Sequence, residues 1–316
     1  MGTRPEYVGR EDEGDQGGEE GARAVDAHGR ASAGEPLDAA ARPSGYDERF
    51  LGPTLPLPPP ADPAVETVVL PYTHFSVRFR PDRRLAASTA VAIDGSRLRS
   101  APREDDWRLD PRLPEEDQAG EEVYRENRLD RGHLVRRLDP VWGTVAEGER
   151  ANADTFHYTN AAPQMDVFNQ GKRLWLGLED FLLRHAARFD RKLAVFTGPV
   201  LEDSDPPYRG IRVPLRFWKV AAFMQGGELA TTGYVLDQSP DLTREAAERA
   251  VAAAVAAAEP PPLGAFRTFQ VPVADIARIT GLDLGPLPGA DLLPAGVREL
   301  RAWTELASFE DIAMER

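Results

Sequence analysis

One segment of the sequence places a histidine among arginines: residues 128–137, Arg-Leu-Asp-Arg-Gly-His-Leu-Val-Arg-Arg. Its His133 is one of five histidines in a chain of 316 residues. A neutral imidazole can take a proton from water, and guanidinium groups can hold a phosphate where that water attacks. The segment therefore predicts hydrolysis of a phosphodiester with His133 as the general base. A lone histidine is also common as a hydrogen-bonded structural residue, so further residues are needed to distinguish the two interpretations.

Other arginines could bind phosphate beside this segment. Arg136 and Arg137 would extend a phosphate-binding strip, or they belong to a solvated strand edge. The polar residues 96–127 predict a long surface loop, from which Arg103 is the candidate to reach a phosphate. These three arginines are the predicted substrate-binding cations.

The composition limits the kinds of site that the chain can build. It has no cysteine, which excludes disulfides, thiolate zinc sites and cysteine nucleophiles. Any metal must sit on oxygen or histidine ligands, which suit magnesium, calcium or manganese. The net charge of −14 opposes a broad nucleic-acid-binding surface. Because residues 1–45 carry five arginines against ten acidic residues, −9 remains elsewhere, and a phosphate-binding surface would have to be a local patch.

Three regions are predicted along the chain. Residues 1–45 are acidic and rich in Gly and Ala, which predicts a disordered leader, either passive or shielding a basic site. The prolines of residues 46–64 favour an extended strap, and residues 65–316 are expected to form a single domain. No signal-peptide pattern or long apolar run is present, so a cytoplasmic protein without a membrane partner is expected.

The local patterns predict an α+β fold with a central antiparallel sheet flanked by helices. Strands are predicted where β-branched and aromatic residues concentrate, at 67–79, 85–93, 155–160, 192–198, 211–224, 229–236 and 266–271. Helices are predicted from residue 168, from 239 to 259 and from 273 to 280. His133 would lie in the strands of a β-β-α unit at about residues 125–188, with an exposed stretch from Gly143 to Asn152. His74 is interpreted as a packed strand residue, and the alanine-rich helix 239–259 as structural packing.

This β-β-α unit contains further residues that could act beside His133, namely Asn160, Gln164, Asn169 and Glu179. Each amide alone is typical of a cap or a turn, but the combination resembles the DNA/RNA non-specific endonucleases, which have the ββα-metal (His-Me finger) nuclease fold. The resemblance extends more loosely over about residues 65–285. The matching residues are Asp130-Arg131-Gly132-His133-Leu134, Thr159-Asn160, Pro163-Gln164, Asn169-Gln170, Trp175 and Leu178-Glu179.

The resemblance implies a role for each residue around the histidine. His133 would be the general base that activates water, and Arg131 would steady the scissile phosphate. Asp130 and Asn160 would be supporting residues that shape the site, Asp130 as one of the catalytic residues and Asn160 as one of the substrate-binding residues.

The resemblance also implies a metal site. Asn169 would be the sole direct protein ligand of Mg²⁺, with Mn²⁺ as a possible substitute, and Glu179 would act on the ion through water. An unbroken helix would separate these two residues by roughly 15 Å, so one ion could not bind both directly. Either the helix starts or breaks near Gly171, or Glu179 acts at a distance. The spacing is two residues longer than in the best-known members, which makes Asp180 the alternative.

The implied activity is cleavage of DNA and RNA to 5′-phosphate and 3′-hydroxyl ends, with little discrimination between them because phosphate contacts carry no sequence information. A homodimer and an inhibitor or activating partner are also expected. One alternative is a nuclease-like module that binds nucleic acid or protein without catalysis. The other is a phosphodiesterase acting on a small or lipid substrate.

Overall fold

The fold is built on one large antiparallel sheet. It is seen in a computed structural model that describes residues 43–103, 105–165, 183–184, 186–307 and 312. The sheet has eight strands in the order β1-β2-β3-β6-β9-β10-β11-β12, while β4 pairs with β5 and β7 with β8. The strands are β1 Val68–Tyr72, β2 Phe75–Arg80, β3 Leu85–Asp94, β4 Leu129–His133, β5 Ala161–Met165, β6 Lys192–Val200, β7 Pro207–Tyr208, β8 Ile211–Arg212, β9 Arg216–Gln225, β10 Glu228–Asp237, β11 Arg267–Val271 and β12 Thr304–Glu305.

Short helices lie in the connections between these strands. They are α1 Glu121–Tyr124, α2 Val145–Asp154, α3 Arg244–Ala257, α4 Val273–Thr280 and α5 Ala295–Glu299. Residues 183–184 and 186–188 are also helical. The predicted α+β fold with a central antiparallel sheet is thus confirmed.

Both faces of the large sheet are buried, which explains why its strands are continuous apolar runs. Side chains alternate between the faces of a strand. On β9, Phe217 and Ala221 join one hydrophobic cluster, and Trp218 and Val220 join the other. The sheet is therefore the shared wall of two cores.

The proline-rich segment before β1 packs against one of these cores. Leu55 and Leu57 are buried in the same cluster as Trp218. The Pro58 carbonyl accepts a hydrogen bond of 2.7 Å from the Ser88 hydroxyl on β3. These contacts tie the segment to the sheet, and the domain boundaries at residues 45 and 64 stay predictions.

The predicted single strand 67–79 is wrong, because the chain turns back within it. β1 and β2 form a hairpin whose turn contains His74 at φ 66°, a left-handed conformation that is uncommon for a non-glycine residue. The His74 ring stacks on Trp142, with 3.5 Å between the ring centroids and 10° between the planes. His74 is therefore a turn residue and not a strand residue.

Two further local predictions around the histidine segment are also wrong. The exposed stretch before Asn152 is the helix α2, whose first turn has a capping box between Thr144 and Glu147. The predicted strand 155–160 is a turn and a 3₁₀ helix, and the strand β5 begins directly after it, at Ala161.

The other described strands and helices lie close to their predicted positions, with two exceptions, and the start of the helix predicted from residue 168 lies outside the described residues. The strand predicted at 211–224 is interrupted, and its parts are β8 and β9. The alanine-rich helix α3 starts after Thr243, later than predicted, and none of its residues is fully buried. α4 ends at Gly281, as predicted, and this glycine adopts the left-handed conformation with φ 64°. Among the described residues, no helix is both long and apolar enough to span a bilayer.

Candidate active site

His133 lies at the end of β4, in the two-stranded ribbon that β4 forms with β5. His133 faces Ala161 across the ribbon, and Arg131 faces Pro163. Because side chains alternate along a strand, Arg131 and His133 project from the same face, about 6.6 Å apart along the backbone. The ribbon therefore brings the predicted base and the predicted phosphate-binding arginine together.

Asp130 projects from the opposite face of the ribbon, so the structure does not bring it together with His133. It is exposed and lies opposite Gln164. The Gln164 side chain crosses Gly132 so closely that a Cβ atom there would lie 2.2 Å from its Cδ atom. The glycine of the motif thus permits Gln164 to cover this second face, and a catalytic role for Asp130 stays a prediction.

Asn160 is fully buried and supports the segment after His133. Its Oδ1 atom accepts from the Val135 backbone N–H at 2.9 Å, and its Nδ2 atom donates to the Val135 and Thr155 carbonyls at 2.9 and 3.0 Å. The Asn160 carbonyl accepts from the Leu134 N–H. In this position Asn160 cannot touch a substrate, and its contribution is to fix the backbone beside His133.

The His133 imidazole is half-buried between aromatic rings. Its ring centroid is 4.7 Å from that of Trp107 and 5.1 Å from that of Phe156. No hydrogen-bond partner for its Nε2 atom lies among the described residues. Burial, reinforced by neighbouring arginines, lowers the pKa of His133 from 6.5 to about 3. The imidazole is therefore neutral at physiological pH, the form that a base requires.

The arginines that lower this pKa are the three that the sequence predicts as substrate-binding residues. Arg103, Arg137 and Arg136 all act electrostatically on His133, so the fold gathers them around it. Arg137 also donates to the Ala101 and Pro102 carbonyls at 2.9 and 3.3 Å. It thereby holds the backbone directly before Arg103. A local cationic patch exists despite the acidic chain.

Trp107 reaches His133 because its loop is anchored on both sides. The Arg108 backbone bonds to the Phe156 carbonyl and the Tyr158 N–H, each at 3.0 Å. The Arg108 side chain donates to the Ala153 carbonyl at 2.7 Å. These bonds fix the loop against the segment before β5, and Trp107 is placed on the imidazole.

A buried carboxylate holds the next part of this loop. Asp110 accepts hydrogen bonds from the Tyr72 hydroxyl and from Arg112, and Tyr72 is also 2.6 Å from the Thr159 hydroxyl. Burial would raise the pKa of Asp110, but the hydrogen bonds from Arg112 and Tyr72 lower it to about 2. Asp110 is thus charged and joins the loop to β1 and to the turn before β5.

Arg131 is held by a carboxylate. Its Nη2 atom donates to the Oε2 atom of Glu121 on α1, and the same oxygen accepts from the Tyr158 hydroxyl at 2.6 Å. The guanidinium also lies over the Tyr124 ring, 5.7 Å from its centroid.

Sequence reasoning missed the partners that surround His133 and Arg131: Trp107, Phe156, Glu121 and Tyr158. Three of these side chains are aromatic, and they lie in segments interpreted as a loop and a strand. A tryptophan within the acidic run 104–117 was the one available signal, since aromatic residues are uncommon in solvated loops.

The predicted metal-binding residues Asn169 and Glu179, and the alternative Asp180, lie outside the described residues. Across the ranges that the structure does describe, no group of three or more histidine and acidic side chains could hold a metal ion. Amide and carboxylate oxygens are hard ligands that fit Mg²⁺ or Mn²⁺, so the chemistry of the predicted donors is compatible with the ion. Their placement stays a prediction.

The sequence of the chain identifies its family. The family model for DNA/RNA non-specific endonuclease matches residues 59–288. The chain therefore belongs to the DNA/RNA non-specific endonuclease family, and the resemblance seen in its motifs is confirmed.

Two relatives and one solved structure are also similar to this chain. An uncharacterized protein of Sinorhizobium fredii, y4fB, is 40% identical over 264 residues, which are 75% of this chain and 38% of that protein. Human mitochondrial endonuclease G is 30% identical over 151 residues, 44% of this chain and 48% of the human protein. The chain thus spans less than half the length of these relatives. The crystal structure of the EndoG/EndoGI complex covers 68% of this chain and 84% of the matched chain, at 19% identity and a TM-score of 0.48.

Proposed function

We propose that this protein is a metal-dependent endonuclease that hydrolyses phosphodiester bonds of both DNA and RNA. One observation carries the proposal: a neutral, half-buried histidine shares a strand face with Arg131 and lies among three further arginines. A base that stays unprotonated and a set of guanidinium groups are the components that water attack on a phosphodiester requires.

In this mechanism His133 takes a proton from the attacking water, and the oxygen of that water adds to phosphorus. Arg131 holds a non-bridging oxygen of the scissile phosphate on the same strand face. The bond between phosphorus and the 3′ oxygen breaks, and the departing 3′ oxygen takes a proton from solvent water, which leaves 5′-phosphate and 3′-hydroxyl ends. Trp107 and Phe156 shield the imidazole from bulk water, which keeps it unprotonated.

A divalent ion completes the proposed site. Asn169 would hold Mg²⁺ or Mn²⁺, with Glu179 acting through water, and the bound ion supplies neutralisation of negative charge on the phosphate and the leaving oxygen. Asn160 contributes by fixing the backbone at Val135, and so the position of the preceding His133.

The same arrangement explains why both nucleic acids are proposed substrates. Arg103, Arg136 and Arg137 are cations that bind phosphate, and phosphate contacts do not read the bases.

A nuclease that cuts both DNA and RNA needs restraint in a cell. The proposed forms of restraint are an inhibitor or activating partner, a homodimer, or shielding by residues 1–45. The proposed location of the protein is the cytoplasm.

The test is cleavage of supercoiled plasmid and of single-stranded RNA by the purified protein, with Mg²⁺ or with EDTA. We expect cutting of both substrates with Mg²⁺, none with EDTA, and 5′-phosphate ends in the products. If the protein binds either substrate but cuts neither in low salt, the catalytic proposal is wrong. The protein would then be a nuclease-like module that binds nucleic acid without catalysis.

A further inference from the structure

A single oxygen atom of Glu121 receives two hydrogen-bond donors beside the proposed active site. Arg131 donates to Oε2 through its Nη2 atom, and the Tyr158 hydroxyl donates to the same atom at 2.6 Å. Both donors lie on elements that also build the His133 environment, since Arg131 is on β4 and Tyr158 begins the 3₁₀ helix before β5. The carboxylate is supplied by α1, which belongs to neither strand.

The two donors are fixed by aromatic packing, whereas the acceptor is not. Tyr158 and Tyr124 are buried, and their rings stack with centroids 5.9 Å apart and planes at 17°. Arg131 lies over the Tyr124 ring. The Glu121 side chain is 50% exposed and sits on the first residue of a helix of four residues. The donors are therefore preorganised, and their acceptor can leave towards solvent.

A guanidinium and a hydroxyl that converge on one anionic oxygen are equally suited to a phosphate oxygen. Carboxylate and phosphate oxygens both accept charge-assisted hydrogen bonds, and arginine pairs with either anion. The site also lies where a phosphate is needed, because Arg131 shares the strand face of His133. Glu121 thus occupies a place that the proposed reaction assigns to the substrate.

We propose that Arg131 and Tyr158 together form a phosphate-oxygen subsite, and that the Glu121 carboxylate fills this subsite until a phosphate of the nucleic acid displaces it. The proposal rests on the proposed nuclease function. It adds Tyr158 as a substrate-binding residue and gives Glu121 the role of an internal competitor.

The energetics permit such an exchange. An ion pair between partly exposed side chains contributes little to stability, so little stability is lost when it opens. Hydrogen bonds from Tyr158 and Arg131 lower the pKa of Glu121, so the carboxylate is charged at neutral pH and competes there. Burial would lower the pKa of Arg131, but its hydrogen bonds with Glu121 and Tyr158 raise it overall, and the guanidinium remains a cation throughout.

The test compares Glu121→Gln with Glu122→Gln, the adjacent residue of α1. Glu122 has a similar exposure of 53% but pairs with Arg84 at 2.7 Å, away from Arg131. Both variants remove one negative charge, so the comparison cancels the general gain in affinity for a polyanion. The measurement is the dissociation constant for a short fluorescent DNA duplex in EDTA, together with KM and kcat in Mg²⁺. Thermal melting establishes that each variant is folded.

The expected result is a dissociation constant and KM about three- to tenfold lower for Glu121→Gln than for Glu122→Gln, the value of one hydrogen bond released for substrate. Tyr158→Phe should weaken DNA binding by about the same factor, since it removes only the hydroxyl. Equal binding by the two glutamine variants, or weaker binding by Glu121→Gln, would overturn the proposal and leave Glu121 as a residue that orients Arg131. Unchanged binding by Tyr158→Phe would also overturn it. A wild-type protein that binds duplex but never cuts would instead refute the nuclease function alone.

Discussion

The indole ring of Trp107 lies against the imidazole of His133, with 4.7 Å between the ring centroids and 50° between the planes. This contact joins the surface loop that contains Trp107 to the end of β4. It places an apolar wall on the proposed general base and removes part of its hydration. The contact is the basis of the first two predictions.

Removal of the indole should raise the pKa of His133. Trp107→Ala exposes the imidazole to water, and the charged form then becomes less costly. We expect the pKa to rise from about 3 by at least about one unit towards 6.5, measured from the imidazole NMR signals across a pH titration. Trp303→Ala is the control, because Trp303 packs on Phe269 and not on His133. An unchanged pKa in Trp107→Ala would show that burial by Trp107 is not the cause.

The same depressed pKa predicts a dependence of stability on pH. Below pH 6.5 the His133 imidazole of the unfolded chain binds a proton, while that of the folded protein does not bind one until the pH approaches 3. The free energy of unfolding contributed by this residue is therefore present above pH 6.5 and is lost as the pH falls towards 3. Urea unfolding of wild type and His133→Gln at about pH 7 and about pH 4 measures it. The wild type should lose more stability than the variant, and equal losses would contradict the prediction.

Phosphate contacts by the arginine patch should appear in the salt dependence of binding. Arg103→Ala and Arg136→Ala should each weaken binding to duplex DNA and reduce the slope of log K against log salt by about 0.9. Arg244→Ala is the matched control, because Arg244 is an exposed arginine on α3 that pairs with Glu248. A slope that is the same in all three variants would remove Arg103 and Arg136 from the substrate-binding surface.

Gly132 should tolerate a side chain only if Gln164 becomes smaller. A Cβ atom at position 132 would lie 2.2 Å from Cδ of Gln164, so Gly132→Ala is expected to cost about 1–3 kcal/mol of stability. Gln164→Ala removes the clashing atoms, and the double variant should recover most of that loss. Denaturant unfolding of the single and double variants gives the coupling energy. A double variant no more stable than Gly132→Ala would mean that the backbone, and not Gln164, requires the glycine.

The sequence predicts those parts of the site that depend on local order. Arg131, Gly132 and His133 are consecutive, so their shared strand and alternating faces follow from the pleat alone. Arg136 and Arg137 lie three and four residues after His133, so their position near it also follows from local order. The start of α2 also has a local signal, the capping box formed by Thr144 and Glu147.

The contacts that tune these residues could not be predicted in the same way. Trp107 on His133, and Glu121 with Tyr158 on Arg131, join segments separated by irregular loops whose course depends on tertiary packing. The turn at His74 was hidden for another reason. Its left-handed backbone occurs without glycine, and the stacking on Trp142 that accompanies it is a contact across the fold.

The most direct test of the central claim is the initial rate of plasmid nicking in Mg²⁺ by wild type, His133→Ala and His74→Asn. His74 is a second half-buried histidine, in the β1-β2 turn, and asparagine tolerates its left-handed backbone. The account predicts that His133→Ala reduces the rate by about 10²- to 10⁴-fold, the usual contribution of a general base, while His74→Asn stays close to wild type. Nicking by His133→Ala at the wild-type rate would contradict the assignment of the base, and with it the proposed mechanism.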